Sequence, residues 1–198
     1  MRIIPPLYGL SLSDLQILKD QDSLEIDFAF PFNKGNAMNR IRILSASGPL
    51  LLSIPVKKTP ANTPVSEIQI DHTQKWQNQH WRSITSAYGK APFFVYFKDE
   101  LEHLFSRKTD GLAEFTFGIM DWTLKQYFPK DRLSVNLAEK ISEPNLDFEY
   151  LKWIENGSIQ LEGRHEYRQV FGSEFVPNLS VIDHLFCSGP NDFWKPRN

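Results

Sequence analysis

The sequence contains only one cysteine, Cys187, among its 198 residues. An internal disulfide and a zinc site made of cysteine thiolates are therefore excluded, and the lack of disulfides is typical of a reducing compartment. Long apolar runs are missing as well, since stretches such as Leu50–Leu52 fall far short of the roughly 20 residues that a membrane-spanning helix needs. The first residues also lack the apolar segment of a signal peptide. We therefore expect a cytoplasmic protein with no membrane span.

Acidic residues are missing from one long segment, the 39 residues from Phe28 to Ser66. The segment carries five basic residues, which are Lys34, Arg40, Arg42, Lys57 and Lys58. The whole chain nevertheless has a formal net charge of −2, so its acidic residues are concentrated elsewhere. A protein whose whole surface binds nucleic acid is usually strongly basic, and this composition therefore argues against nucleic acid as a partner.

The basic segment has two interpretations, which the sequence leaves open. Basic side chains on neighbouring strands and loops can converge on one patch that binds phosphate or carboxylate, and Gly35 would let backbone N–H groups approach such an anion. Alternatively, Arg40 and Arg42 cover one solvated strand face and pair with carboxylates elsewhere. The chain has neither a P-loop nor a G-x-G-x-x-G motif, so no standard phosphate-binding loop supports the first interpretation.

Hydrophobic periodicity predicts one α/β or α+β domain over residues 1–198. Its N-terminal strands form a sheet, and its C-terminal helices pack on that sheet. The pattern leaves open whether the sheet is Rossmann-like. With 15 Phe, 6 Tyr and 5 Trp the chain has enough apolar surface for a core, which excludes intrinsic disorder. Strands are predicted over 2–4, 23–32, 40–44, 50–56 and 65–70. Helices are predicted from a Ser13 cap to Lys19 and over 73–88, 98–107, 111–128 and 178–188, the last with Ser180 and Asp183 as a capping box. Residues 130–165 are predicted to form an irregular connection.

His80 is the best single candidate for acid–base chemistry. It shares one face of the predicted helix 73–88 with Trp76 and Ile84, where a neutral imidazole could act as a general base. The competing interpretation is a histidine packed in the core. Asp183, His184 and Cys187 also lie close together in the sequence, but a cysteine on the apolar face of a helix is usually buried and inert.

Several ungapped motifs follow one another along the chain. It opens with Ile4–Tyr8 (IPPLY), and Lys34–Ile43 (KGNAMNRIRI) leads to Leu52–Lys58 (LSIPVKK). Trp76, His80–Ile84 and Ala87–Phe94 come next, and Tyr167–Phe171 and Pro177–Phe186 lie near the end. In order and spacing these motifs resemble the short form of the WbqC-like protein family, over roughly residues 3–128 and 165–190.

The resemblance implies a function in surface-polysaccharide assembly. Members of this family occur among genes for O-antigen and other surface polysaccharides, and transfer of glycine to a sugar has been suggested for some. By resemblance, the recurring polar positions are Lys34, Asn39, Arg40, Lys57, Trp76, His80, Trp81, Tyr88, Asn178 and Asp183. Longer relatives begin with a strand–loop–helix–strand order that looks nucleotide-binding and Rossmann-like.

Together these features suggest a cytoplasmic transferase that binds an anionic activated donor or a nucleotide sugar. The phosphate or carboxylate would be held by Lys34, Arg40 and Lys57. His80 would deprotonate the acceptor, with Trp76 and Trp81 as a stacking wall. The rival hypothesis is a non-catalytic binding or scaffold protein of the same pathway, in which His80 is packed and the basic segment meets an acidic partner protein. The sequence indicates no metal, leaves any cofactor unknown and leaves the oligomeric state open.

Overall fold

A computed structural model describes residues 2–129, 132–137 and 166–195, which form one mixed α/β domain. The strands are β1 (Arg2–Ile4), β2 (Ser23–Ile26), β3 (Arg40–Ser45), β4 (Gly48–Ser53) and β5 (Ser134–Leu137). The α-helices are α1 (Leu12–Leu18), α2 (Trp76–Tyr88), α3 (Phe94–Ser106), α4 (Leu112–Tyr127) and α5 (Val181–Ser188). Two 3-10 helices cover Val65–Glu67 and Pro190–Trp194. The predicted fold class, with strands first and helices after, is confirmed.

The first two strands and the last one, β5, form a parallel sheet of order β1-β2-β5, with α1 as the crossover between β1 and β2. The cap of α1 lies two residues before the predicted one, because Ser11 rather than Ser13 makes the capping box with Asp14. β2 ends at Ile26, earlier than predicted, because the Asp27 carboxylate accepts a hydrogen bond from the backbone of Ala29 and turns the chain. β5 lies in the segment predicted to be irregular, and residues 138–165 of that segment lie outside the described residues.

β3 and β4 form a separate antiparallel hairpin, as predicted, with Arg40 opposite Ser53. Ile41 and Ile43 are buried while Arg42 on the other face is exposed, which is the alternation expected of a half-buried strand. The predicted strand over 65–70 is wrong. Its first residues form a 3-10 turn whose backbone N–H groups bond the carbonyls of Phe28 and Phe30, and Ile70 pairs with Val56 only in an isolated bridge.

α2 and α5 pack against β3, and α3 packs against α2, α4 and α5. α3 begins four residues before its predicted start, because Phe94 anchors its first turn in the core. α5 begins after Ser180, whose side chain makes no capping bond, so the predicted capping box with Asp183 is wrong. The Asp183 carboxylate bonds other elements instead, as described below. Among the described residues no helix combines the length and the apolar character needed to cross a bilayer.

Candidate anion-binding site

Two loops meet beyond the carboxyl end of β1. The chain leaves β1 at Ile4, and the backbone N–H groups of Tyr8 and Gly9 both donate to the carbonyl of Ala37, at 2.8 and 3.2 Å. This ties the loop after β1 to the loop that precedes β3. Crevices outside the carboxyl ends of parallel strands are where ligands bind in open α/β sheets, so this junction is a natural place for a site.

Asparagine side chains hold the loop before β3 in shape. Asn39 is buried; its Oδ1 accepts from the backbone N–H of Gly35 at 3.0 Å, and its Nδ2 donates to the carbonyl of Ile54 at 3.1 Å. Asn36 Oδ1 accepts from the backbone of Met38 at 2.9 Å. Asn39, one of the predicted binding residues, therefore has its amide occupied in fixing the loop against the end of β4.

The guanidinium of Arg40 lies directly against the backbone of Gly35. A Cβ atom at Gly35 would stand 3.1 Å from Arg40 Cζ, and the φ of this glycine is +100°, so a glycine is needed for both space and conformation. Arg40 is half-buried, and its Nε is fully buried without a hydrogen-bond partner. Asn36 Nδ2, in the same loop, is also buried and unpartnered.

These two groups are donors without acceptors. Buried polar groups are nearly always hydrogen-bonded, and a half-buried cation is costly without a counter-ion. Within the described ranges no carboxylate forms an ion pair with Arg40. The loop therefore holds two buried donors that no described residue satisfies, and the alternative in which Arg40 pairs with a carboxylate elsewhere is not seen among these residues.

The other predicted cations are not equivalent to Arg40. Lys34 is exposed on the loop that leads to Arg40, and Arg42 is exposed two residues further along β3. Lys57 is exposed and faces Asp71, whose pKa is lowered chiefly by hydrogen bonds from Thr73, with the charges of Lys57 and His72 adding to the effect. Lys57 thus has a carboxylate near it, whereas Arg40 has none in the described chain.

His80 lies inside the core, with 4% of its surface exposed. Its Nδ1 is 2.8 Å from the Tyr8 hydroxyl, and its ring stacks on that of Tyr8 and meets the Trp76 indole edge-on. Burial lowers the pKa of His80 to about 4, against the effect of a hydrogen bond with the backbone of Ser53. The imidazole is therefore neutral at physiological pH, as both the base and the packed-histidine interpretations require.

The two predicted wall residues have different surroundings. Trp76 is buried between His80 and Phe115, and its Nε1 has no hydrogen-bond partner. Trp81 is half-buried, stacks on Phe94 and donates from Nε1 to Glu102 at 2.9 Å. The structure brings Trp76 to His80, but no ring contact joins Trp81 to His80 in the described part of the chain.

Tyr88 and Asp183, separated by 95 residues, form a second polar cluster. The buried Asp183 carboxylate accepts from Tyr88 Oη at 2.7 Å, Tyr167 Oη at 2.5 Å and Gln169 Nε2 at 3.2 Å. Tyr88 Oη also accepts from the backbone N–H of Leu44 at 3.0 Å, which links α2, β3 and α5. Burial raises the pKa of Asp183, and the three hydrogen bonds lower it again in part.

Asn178 and Cys187 lie on either side of Asp183 in the sequence. Asn178 is exposed and adopts a left-handed φ of 58° shortly before α5. Burial raises the pKa of Cys187 to about 12, so its thiolate is not populated at neutral pH and the cysteine is unsuited to act as a nucleophile. No hydrogen bond among the described residues connects Asn178 or Cys187 to Arg40.

Sequence reasoning missed Asn36, Tyr167 and Gln169 as participants. Asn36 lies beside the glycine that was singled out, and its neighbours Lys34 and Gly35 were the signal that could have included it. Tyr167 and Gln169 stand in a quoted motif, but nothing local to them shows that both donate to Asp183.

Comparison with known families gives one result. The family model described as the WbqC-like protein family matches residues 26–129, which is more than half of the chain and includes Lys34, Asn36, Arg40 and His80. Neither the curated proteins nor the solved structures contain a significant match. On the strength of the family match, this chain belongs to the WbqC-like protein family.

Proposed function

We propose that this protein binds the phosphate or carboxylate group of an anionic small molecule with Arg40, Asn36 and Lys34. The observation that carries the proposal is the Arg40 side chain, a half-buried cation whose Nε has no partner and whose guanidinium lies against Gly35. Asn36 Nδ2 adds a second unused donor, and Lys34 adds an exposed charge at the same loop. Charge-assisted hydrogen bonds from guanidinium to phosphate or carboxylate are among the strongest available to a protein.

The biological context of this binding is inferred from the family. By resemblance, the anionic compound would be the activated donor or nucleotide sugar of a transferase in surface-polysaccharide assembly, with transfer of an aminoacyl group such as glycyl to a sugar as one form of the reaction. His80 would take the proton of the acceptor amine or hydroxyl. His80 is unprotonated at physiological pH, as a general base must be, and its lowered pKa makes it a weak base there.

A second candidate is a binding protein of the same pathway that performs no chemistry. The observation in its favour is the burial of His80, whose Nδ1 is already engaged by the Tyr8 hydroxyl. If this candidate is correct, His80→Gln leaves ligand binding unchanged and no transfer activity is found in either protein. If His80 is the base, the same variant still binds the donor but loses turnover.

Ligand-induced thermal shifts test the binding step directly. Wild type, Arg40→Ala and Arg42→Ala are each screened against nucleotides, nucleotide sugars, aminoacyl phosphates and simple carboxylates. A ligand present at about 100 times its Kd stabilises the fold by about 2.7 kcal/mol, which is several degrees for a domain of this size. We expect one class to shift wild type and Arg42→Ala equally and to leave Arg40→Ala unshifted.

Arg42 is a matched control because it lies on the same face of β3 and is exposed. A general effect of positive charge would reduce the shift in both variants. An equal shift in Arg40→Ala and wild type would show that the anion binds elsewhere, and no shift with any class would remove the small-molecule proposal.

A further inference from the structure

One concave region of the molecule has no lining residue in the loop of Arg40. It is a cavity of about 870 Å³ formed by two stretches of chain and one residue of α5. Its lining consists of Lys90–Pro92, Glu166–Phe175 and Cys187. Pockets that bind small molecules typically enclose roughly 300–1,000 Å³, so this volume suits a compound of ordinary metabolite size.

The side chain of Gln169 fixes the shape of one wall of the cavity. Gln169 Nε2 donates to the carbonyl of Val176 at 2.9 Å, and Gln169 Oε1 accepts from the backbone N–H of Val176 at 2.8 Å. These two bonds close residues 169–176 into a ring. At its tip Gly172 has a φ of +82°, a left-handed conformation that favours glycine.

The same wall is anchored from behind by Asp183. Tyr167 and Gln169 both donate to its carboxylate, and Asp183 lies one helical turn before Cys187 on α5. The segment that carries the cavity's aromatic residues is thereby attached to a buried helix. The wall is preformed, which lowers the entropic cost of binding a ligand.

The lining combines aromatic rings with charges of both signs. The half-buried rings are those of Tyr167, Phe171 and Phe175. Because the Tyr167 hydroxyl is turned to Asp183, the cavity is left with its ring. The exposed charged side chains are Lys90 and Arg168 on the positive side and Glu166 and Glu174 on the negative side. A simple anion or a simple cation would meet charges of its own sign there.

We propose that this cavity binds a zwitterionic small molecule with an apolar or aromatic body, for which an aromatic amino acid is the simplest example. The apolar body would lie against the rings, the carboxylate would face Arg168 and Lys90, and the ammonium group would face the carboxylate of Glu174. The proposal does not depend on the anion site of Arg40, because the two share no lining residue.

Cys187 provides a reporter for this cavity, since it is the only cysteine in the chain and it lines the wall. Cys187 is buried and its pKa is raised, so its modification by a small thiol reagent is slow; the rate is therefore followed over hours at about pH 8, where phenylalanine keeps its ammonium group, with phenylalanine, 3-phenylpropionate, phenethylamine or no compound present. These three compounds share a ring and differ in their charges. At about nine times its Kd a ligand that covers Cys187 slows modification about tenfold. We expect phenylalanine to protect Cys187 and the two singly charged compounds to protect it clearly less.

Arg168→Ala, with Arg82→Ala as control, ties any protection to the cavity, because both arginines are exposed and only Arg168 belongs to the lining. Protection by phenylalanine should be lost in Arg168→Ala and kept in Arg82→Ala. Calorimetric titration of phenylalanine into the wild-type chain gives the same answer without the reporter. Equal protection by 3-phenylpropionate would overturn the zwitterion assignment, and a titration without heat together with unprotected Cys187 would overturn the site.

Discussion

Asp183 and Arg40 are both charged residues withdrawn from solvent, yet their surroundings differ. The Asp183 carboxylate is fully buried and accepts three hydrogen bonds, two from tyrosine hydroxyls and one from Gln169. Arg40 is half-buried, and its Nε donates to nothing. Asn36, in the loop before β3, likewise has an unused amide donor.

The difference separates what stabilises the fold from what is available to a ligand. Desolvating a polar group costs free energy, which internal hydrogen bonds recover. Around Asp183 that recovery takes place within the chain, and the cluster connects α2, β3 and α5. Around Arg40 it is incomplete among the described residues, and a bound ion or ligand is one of the ways in which native proteins satisfy such groups. We therefore expect mutation of Asp183 to reduce the stability of the fold, and mutation of Arg40 to leave stability nearly unchanged and to reduce ligand binding.

The largest effect is expected for Asp183→Ala. The substitution leaves the hydroxyls of Tyr88 and Tyr167 and the amide of Gln169 without their shared acceptor, so we expect the free energy of unfolding to fall by about 3–5 kcal/mol. Urea unfolding followed by circular dichroism measures this change, with the exposed Asp99→Ala as a control. A loss below about 0.5 kcal/mol, the range of neutral surface substitutions, would show that the cluster does not hold these elements together.

An intermediate effect is expected for His80, as a dependence of stability on pH. Burial lowers its folded pKa to about 4, below the unfolded value of about 6.5, so the unfolded state takes up the proton first. The stability that depends on neutral His80 is complete above about pH 6.5 and is lost as the pH falls towards 4, by up to about 3 kcal/mol. His80→Phe should remove this loss.

The measurement for His80 must compare two proteins rather than follow wild type alone. Burial raises the pKa of Asp14 to about 7, and this gives stability the opposite slope over the same range of pH. Unfolding free energies of wild type and His80→Phe are therefore measured at several values between pH 7 and 4, and their difference is plotted. A flat difference would mean that His80 is readily protonated in the folded state, and its site would be wetter than the structure shows.

Local patterns of the sequence were sufficient for the hairpin and for α2. The alternation of Arg40, Ile41 and Arg42 and the stripe through Trp76, His80 and Ile84 arise from one buried face each, so period alone predicts them. The alternation of Ile68 and Ile70 led to a wrong strand prediction. Two isoleucines can both be buried after a 3-10 turn and in isolated bridges, as here, as well as in a strand. β5 was missed because its alternation is only four residues long, with Val135 and Leu137 as its apolar positions, and Leu137 is exposed.

The candidate site was predictable only in part, for a physical reason. An acid-free segment locates the cations, but whether a cation is satisfied depends on side chains far away in the sequence. Lys57 has Asp71 near it and Arg40 has no described counter-ion, although the two looked alike in the sequence. In the same way Asp183 was predicted to cap its own helix, while its acceptor oxygens are used by Tyr88, which lies 95 residues away.

The smallest effect on stability is expected for Arg40→Ala, and here a small value is the informative result. No hydrogen bond or ion pair to the Arg40 guanidinium is lost within the described chain, and removing a desolvated cation offsets the packing lost on Gly35. We expect the free energy of unfolding to change by less than about 1 kcal/mol, close to that of Arg42→Ala. Urea unfolding of both variants without ligand provides the comparison. A loss comparable to that of Asp183→Ala would mean that the Arg40 guanidinium has its hydrogen-bond partners within the protein. The contrast between the two regions would then no longer hold.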